Sequence, residues 1–313
     1  MLKLILSRLL MSIPLLFAVT FLTFFLNSFA PTDLARSLLG ADGTPEQYTA
    51  LRTELGLDKP LIVQYGAWVA KVAQGDLGVS FFTTEPVADL LNGRIGVTLA
   101  IMVGVLVILV SVGITLGVLS AIQGGWLGRV LDTLSLFGLI FPSFFVALVY
   151  IMVFAVWLRW FPATGYTPFA SDPVAWAMSL VLPTLAVATY TTSVVAKQTR
   201  DAMNDVMGRD FIRSLRASGI SEMSVIFKHG LRNAALPVVT VLGGVMVAAL
   251  AGAVFVERVF VLPGLGSMAV GAADQADVTL MLGCTLYFAL ISVAINLLVD
   301  LSYGWLNPKV RVD

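Results

Sequence analysis

The residue types that most often carry out chemistry are scarce in this sequence and form no catalytic pattern. His229 is the only histidine and Cys284 the only cysteine, so an intrachain disulfide and a cysteine-based metal site are excluded. No G-x-x-x-x-G-K-[ST] phosphate loop occurs in the chain, and serines such as Ser111 have no general base in a motif near them. The sequence therefore predicts no catalytic residue, no metal site and no cofactor bound by this chain.

A second set of polar residues lies within apolar stretches, where hydroxyl and amide groups could line a passage for a solute. Residues 189–193 (TYTTS) are the densest example. Sparse polar groups suit a wide pathway, but they equally suit hydrogen bonds that hold membrane helices together. Both interpretations stay open for the pathway candidates, which are Tyr150, Thr189, Tyr190, Thr192 and Asn296.

The composition places these residues in a membrane protein. Of the 313 residues, 58% are hydrophobic and 12% are charged, whereas a soluble domain has roughly 25% charged and 45–50% apolar residues. A soluble globular enzyme is therefore excluded. The chain has 19 basic and 19 acidic residues, and this balance gives no support for nucleic acid binding, which requires a basic patch or domain.

The elements that must position the polar residues are predicted to be transmembrane helices. A bilayer core is about 30 Å thick and needs about 20 apolar residues in a helix, and six windows fit this template. The expected spans are residues 9–29, 97–122, 130–157, 174–196, 236–256 and 280–303. The sequence thus predicts an all-α polytopic membrane protein with six transmembrane helices.

The first span and the distribution of charge set the expected orientation. The apolar stretch of residues 9–29 is longer than the about 7–15 residues of a cleaved signal peptide, which favours an uncleaved signal anchor over residues 1–30. Cytoplasmic loops are enriched in Lys and Arg, and the densest group of basic residues lies between Lys197 and Arg232. We therefore expect the N-terminus and the C-terminus inside the cell.

Residues 31–96 are too polar to span and too long for a turn, so they predict a small external helical segment. Thr44, Pro45 and Gln47 have the pattern of a capping box that opens a first helix. A second helix is expected between Pro60 and Gly75, and a short third one from residue 84. These helices would either pack on the spans or offer a docking face to an external partner.

The large inside segment, residues 197–235, predicts two helices separated by a glycine. Residues 210–217 form an amphipathic stretch, and Gly219 is well placed as the left-handed residue that ends it. Ser221 then begins a second helix. By itself, a helix-turn-helix in a loop is weak support for any particular function.

Several sequence blocks, taken in order, resemble the membrane subunits of ABC importers, and in particular the B-type subunit of the dipeptide/oligopeptide permease family. The residues 213–222 (RSLRASGISE) and 228–237 (KHGLRNAALP) look like the EAA loop of that family. Further blocks cover nearly the whole chain: 8–14 (RLLMSIP), 55–60 (LGLDKP), 75–78 (GDLG), 257–260 (ERVF) and 263–266 (PGLG). The chain departs from the motif at residues 213–215 (RSL), where the name of the motif expects Glu-Ala-Ala.

The resemblance implies a type I ABC importer permease fold, with a five-span core over residues 97–313 after the external segment. It implies that the loop around Gly219 docks on a cytoplasmic ATPase. The residues carried over to this coupling loop are Arg213, Ser214, Leu215, Arg216, Ala217, Ser218, Gly219, Ile220 and Ser221.

The resemblance also implies partners and a location. The expected partners are a second, homologous permease subunit, two cytoplasmic ATPase domains that hold ATP and magnesium, an external substrate-binding protein and membrane lipid, in a bacterial inner membrane. Peptides are the expected substrates, with nickel complexes, glutathione or sugars as alternatives. A gradient-driven secondary transporter is the other class considered, and the near absence of ionisable residues in the spans argues against it.

Overall fold

The computed structural model describes residues 2–29, 34–40, 43–123, 130, 133 and 138–306. Every regular element in these ranges is helical. Contacts divide the chain into two units: Met1–Ile5, Leu99–Leu262 and Ala294–Asp313 form the first, and Leu6–Thr98 with Pro263–Val293 form the second. The all-α membrane architecture is confirmed, while the division expected at residues 30 and 96 stays a prediction.

The bounds of the helices follow the chain. Before the first long gap they are α1 (Leu2–Asn27), α2 (Leu34–Leu39), α3 (Pro45–Glu54), α4 (Leu61–Val72), α5 (Val87–Ile108) and α6 (Ile114–Ile122). After it come α7 (Ser143–Tyr150), α8 (Pro173–Met207), α9 (Asp210–Ala217), α10 (Leu231–Val259), α11 (Leu265–Gln275) and α12 (Val278–Leu306). Three π-helical stretches, Leu109–Gly113, Ile151–Trp157 and Ser224–Gly230, continue or precede these helices.

Five helices of the described residues are long and apolar enough to cross a membrane. They are Ile5–Asn27, Val87–Ile122, Pro173–Met207, Ser224–Val259 and Val278–Gly304. The shorter apolar helix Ser143–Trp157 stands where the third span was expected. The described part of the chain therefore contains a helix at each of the six predicted positions.

The third span differs from the prediction of one continuous helix over residues 130–157. Residues 138–140 form a turn, and Pro142 has extended backbone angles immediately before Ser143. Proline has no N–H to donate and restricts the residue before it, so the helix can only begin after this point. Much of residues 124–137 lies outside the described ranges.

The second span begins earlier than expected, because the short third helix predicted from residue 84 to lead into it is continuous with it. Thr84 has a left-handed backbone with φ of 56°, and α5 starts at Val87 and runs into the span without a break. Leu91, near its start, is fully buried. The first turns of the span therefore occupy the place of that helix.

Small residues allow close helix contacts within the first unit. A Cβ at Gly117 would lie 2.5 Å from the carbonyl oxygen of Ala196, and one at Gly113 would lie 3.3 Å from Val195 Cγ1. The Gly113-x-x-x-Gly117 pattern therefore allows a close approach to α8. A Cβ built on Gly243 would likewise lie 3.0 Å from Val299 Cγ2, so α10 packs closely on α12 at this glycine.

In the second unit, the first two helices predicted for the external segment are confirmed. Thr44 and Gln47 form the reciprocal capping box, in which Gln47 N–H donates to Thr44 Oγ1 at 3.3 Å and Thr44 N–H donates to Gln47 Oε1 at 3.0 Å. Gly56 and Gly75 follow α3 and α4 with φ of 67° and 84°. These glycines adopt backbone angles that other residues disfavour.

The same unit is held together by polar contacts between distant segments. The buried carboxylate of Asp277 accepts from Ser80 Oγ at 2.6 Å and from the backbone N–H of Leu280 at 3.1 Å. Asp277 therefore satisfies a donor at the start of α12, as helix capping requires, and at the same time fixes the loop around Ser80.

Candidate functional site

The coupling loop predicted around Gly219 is a short exposed helix between two long ones. Helix α9 covers Asp210–Ala217, and only Ile212 in it is fully buried. Because one apolar side chain attaches the helix, its other faces stay open to a partner. Three large apolar side chains of this loop are exposed by 38–67%: Phe211, Met223 and Phe227.

Gly219 ends α9 in the way that the sequence predicts. Its φ is 77°, its N–H donates to Arg216 O at 3.0 Å, and the N–H of Ile220 donates to Leu215 O at 3.2 Å. These two bonds are the 5→2 and 6→1 bonds of a Schellman motif. No atom lies within 4 Å of a Cβ built on Gly219, so the requirement for glycine here is conformational and not steric.

A salt bridge spans this turn. Arg216 donates to Glu222 through Nε at 3.0 Å and through one terminal nitrogen at 2.5 Å. The hydrogen bond from Arg216 lowers the pKa of Glu222, and the same bond raises the pKa of Arg216. Bidentate pairs of this kind fix the relative geometry of their two partners, so α9 and the next helix are tied together at the turn.

The helix after the turn packs on α8. Val225 is fully buried, and a Cβ at Gly230 would lie 3.2 Å from Met207 Sδ and 3.3 Å from Met203 Cε. Glycine therefore permits the end of α8 and the π-helical stretch Ser224–Gly230 to approach closely. As a result, α9 is bounded on both sides by helices that also contact each other.

Part of the predicted pathway set meets in one cavity of about 600 Å³ in the first unit. Most of its wall is apolar, and it carries no charged side chain among the described residues. The polar residues that line it are Tyr150, Thr189, Thr192 and Ser193. Helix α8 supplies the last three of these.

The hydroxyl groups of the cavity are not all satisfied by the protein. Tyr150 Oη and Thr189 Oγ1 lie 2.9 Å apart, and Ser193 Oγ donates to the carbonyl oxygen of Thr189 at 3.0 Å. Thr192 Oγ1, in contrast, is buried without a hydrogen-bond partner among the described residues. An unpaired buried hydroxyl is energetically unfavourable, and here it lies at the wall of a cavity where a solute could pair with it.

Two members of the predicted set lie elsewhere. Tyr190 is 41% exposed and lines a different cavity, of about 710 Å³, together with Ser143, Gly252 and Phe255. Asn296 is exposed on α12 and belongs to neither of these two cavities. The structure therefore groups Tyr150, Thr189 and Thr192, and separates Tyr190 and Asn296 from them.

Sequence reasoning missed three residues that line the first cavity. Phe141 and Phe145 stack with ring centroids 5.4 Å apart and line the cavity. Gly138 also lines the cavity, and a Cβ built on it would be 2.5 Å from the carbonyl oxygen of Thr189. Phe141 and Phe145 lie close to Pro142 in the sequence and could have been identified from it. They were missed because residues 130–157 were predicted as one continuous helix.

One unbroken helix joins this cavity to the loop. Thr192 and Met207 both belong to α8, and fifteen residues of α-helix rise about 22 Å. Helix α9 begins three residues after Met207. A displacement at the loop can therefore reach the cavity without passing through a flexible segment.

No group of three or more His, Cys, Asp or Glu residues that could hold a metal ion occurs within the described ranges.

Comparisons with known proteins cover the whole chain. Residues 113–312 match the family described as binding-protein-dependent transport system inner membrane component, and residues 1–102 match its N-terminal companion. A putative peptide transport system permease protein of Brucella abortus is 38% identical over 314 residues, with 100% of both chains covered.

Two further relatives have similar coverage. A probable peptide ABC transporter permease protein of Sinorhizobium fredii is 35% identical, with 98% of both chains covered. A glutathione transport system permease protein of Escherichia coli is 36% identical, with 99% of both chains covered.

Proposed function

The chain belongs to the binding-protein-dependent transport system inner membrane components, the multi-pass permease subunits of ABC transporters, and from this premise we propose that it forms half of a peptide import pathway. The other half is a second, homologous but different permease subunit. Two cytoplasmic ATPase domains supply ATP hydrolysis with bound magnesium, and an external substrate-binding protein delivers the peptide. The chain itself contributes no catalytic residue.

The continuity of α8 carries this proposal. The helix brings Thr189 and Thr192 to the cavity and ends at Met207, directly before the exposed α9. An ATPase that binds α9 therefore holds one end of a rigid element whose other part lines the pathway. Residues 213–221 form the docking element, with Gly219 setting its direction.

Phe211, Met223 and Phe227 support a protein partner at this loop. Large apolar side chains exposed in an otherwise polar segment are typical of interaction surfaces. Each of the three is next to one charged residue in the sequence, and Arg213 lies on the same short helix as Phe211. A groove on the ATPase domain with apolar walls and an acidic rim would fit this surface.

The chemistry of the cavity explains why an external energy source is required. The described lining has no charged group that could couple solute movement to a proton or ion gradient. A partner can shift the permease between inward-open and outward-open states only by binding those states unequally. ATP-dependent closure of the two ATPase domains on the loop provides this difference.

Peptides are the proposed substrates because two of the relatives named above are described as peptide permeases. The apolar wall with a few hydroxyls can pass side chains of varied structure, since it makes few specific demands. The glutathione permease relative keeps glutathione, a small peptide derivative, as the alternative substrate. Nickel complexes are less favoured, because the described lining offers no nitrogen, sulfur or carboxylate ligand for the metal, and sugars stay a further alternative.

Uptake in reconstituted vesicles tests the proposal. Vesicles that contain the complete complex should accumulate labelled di- and oligopeptides when ATP and the binding protein are present, also after the proton gradient is collapsed. Inactivating the ATPase partner should abolish uptake. Transport that follows the proton gradient and ignores ATP would instead establish the secondary-transporter class.

A further inference from the structure

A narrow groove lies between α1 and α4 in the second unit. Its volume is about 170 Å³, and its walls are mainly apolar side chains, among them Leu16, Val69, Val72 and Leu286. Two of its polar groups satisfy each other, because Thr20 Oγ1 and Tyr65 Oη lie 2.8 Å apart. Tyr65 Oη also donates to the carbonyl oxygen of Phe17 at 3.0 Å.

The third polar side chain that lines the groove is that of Trp68, which carries an indole N–H. This nitrogen is buried and has no hydrogen-bond acceptor among the described residues. Buried indole N–H groups usually find a partner, and tryptophan is enriched where one end of the side chain is apolar and the other meets polar groups at a membrane interface. The described residues supply no acceptor for this N–H, so a molecule that binds in the groove could supply one.

The position of Trp68 along the membrane indicates which acceptors can reach it. Trp68 and Val278 pack on the same buried cluster of Phe24, Tyr65 and Leu282. Val278 is the first residue of α12, so Trp68 lies near the level at which that span enters the bilayer. Leu286, at the other end of the groove, lies eight residues further along α12, which corresponds to about 12 Å of helix.

The surroundings of the groove are suited to lipid and not to water. On α4, Ile62 is 65% exposed and Val63 48% exposed, and on α1, Ile13 is 46% exposed and Phe17 47% exposed. Helix α1 is long and apolar enough to span a membrane, yet only 6% of its apolar spanning stretch is buried within the protein. Exposed apolar side chains therefore occur on both helices, and two of them, Ile13 and Phe17, also line the groove.

We propose that this groove binds one acyl chain of a glycerophospholipid, with the ester carbonyl oxygen accepting a hydrogen bond from Trp68 Nε1. The chain would extend from the level of Val278 toward Leu286, past Leu16 and Val72. Ester carbonyls lie at the boundary between headgroups and acyl chains. Trp68 lies near this boundary, because it packs at the level of Val278, the first residue of α12. The bound lipid anchors α4 against α1 in the leaflet that contains the C-terminal end of α1.

Lipids with and without the carbonyl test the hydrogen bond directly. The purified full chain is incubated with dioleoyl phosphatidylglycerol or with its ether-linked analogue, and retained lipid is counted by native mass spectrometry. The wild type should retain the ester lipid about two- to tenfold better, the effect expected of one hydrogen bond. Trp68→Phe should retain both lipids equally. Equal retention of the two lipids by the wild type would overturn the proposed contact.

A second pair of variants tests the groove itself. Ala73, directly after α4, lines the groove, and Ala70, within α4, does not. Ala73→Phe should therefore fill the space and lose the retained ester lipid, while Ala70→Phe should keep it. Both variants add the same side chain at an exposed position of the external segment. Retention that is unchanged by Ala73→Phe, or lost equally in both variants, would place the lipid elsewhere on the chain.

Discussion

Arg216 and Glu222 face each other across the turn at Gly219 and form two hydrogen bonds, at 3.0 and 2.5 Å. One residue belongs to α9 and the other begins the helix that continues into α10. The side chains are 45% and 54% exposed, and exposed ion pairs contribute little to global stability. Their effect is instead local, because the pair fixes the angle between the proposed docking helix and a membrane-spanning helix.

Exchanging the two charges tests this local role. Glu222→Arg places two cations across the turn, so substrate-stimulated ATP hydrolysis by the assembled complex should fall several-fold. The double variant Arg216→Glu with Glu222→Arg rebuilds the pair with reversed sign and should recover most of the activity. Hydrolysis in reconstituted complexes, normalised to the amount of permease, is the measurement.

The pair Arg213 and Asp210 is the matched control for this exchange. These side chains are 3.4 Å apart, but they are 78% and 94% exposed and lie within one helix. Exchanging them should leave the turn itself unchanged, measured as amide hydrogen exchange at Ile220, since they do not bridge it. A double exchange at 216 and 222 that stays as inactive as the single variant would contradict the proposed geometry and place Arg216 in contact with the ATPase.

The order of the turn should depend on pH in one direction. Because the hydrogen bond from Arg216 lowers the pKa of Glu222 below its usual 4.5, the pair stabilises the turn above that value. This contribution is lost as the pH falls through the lowered pKa. Amide hydrogen exchange at Ile220, expressed as a protection factor, should therefore decrease on acidification in the wild type.

Glu222→Gln supplies the control for the pH dependence. The amide keeps the size of the side chain and does not titrate, so protection at Ile220 should be lower at neutral pH and should vary less with pH. Protection that falls in parallel in the wild type and in Glu222→Gln would assign the change to another group.

The hydroxyl groups of the cavity make separable predictions. Thr192→Val removes a buried hydroxyl that has no partner, so the variant should unfold at the same or a higher temperature, while peptide uptake falls because a solute loses its partner. Thr189→Val leaves Tyr150 Oη without the partner that lies 2.9 Å away, and should cost about 1 kcal/mol of stability. Thermal unfolding and the KM of uptake distinguish the two variants.

Comparing the stability and the KM of these two variants tests whether Thr192 lines the pathway. If Thr192 only holds helices together, its replacement by valine lowers stability and leaves the KM unchanged. That outcome would remove Thr192 from the pathway.

The grouping of the pathway candidates was partly contained in the sequence. Thr192 and Ser193 follow Thr189 by three and four residues, so all three share one helix face. Tyr190, in contrast, points about 100° away from Thr189 and lines another cavity. Applying the helical period to residues 189–193 would have separated Tyr190 in advance. Asn296 could not be assigned in this way, because a single sequence does not specify which spans pack together.

The proposed coupling loop shows the same division between local and long-range information. The Schellman turn at Gly219 depends only on neighbouring residues, and it was predicted correctly. The sequence did not indicate that α8 continues to Met207, beyond the expected end of the span at residue 196, because residues 197–207 are polar enough to resemble a loop. Burial of Met203 and Val206 stabilises this extension through contacts that hydropathy alone does not reveal.

The last prediction concerns Gly219 itself, whose φ of 77° is disfavoured by about 1–2 kcal/mol for an L-residue with a Cβ. Since no atom lies near its would-be Cβ, backbone preference alone should rank substitutions at this position. Gly219→Asn should retain most activity, because asparagine tolerates left-handed angles, whereas the β-branched Gly219→Val should redirect α9. Uptake and substrate-stimulated ATP hydrolysis should then fall together, while membrane insertion, measured as permease level, and peptide binding by the external protein persist. Wild-type stimulation in a properly inserted Gly219→Val complex would mean that the loop is a passive linker, and it would leave the cavity without a mechanical connection to the ATPase.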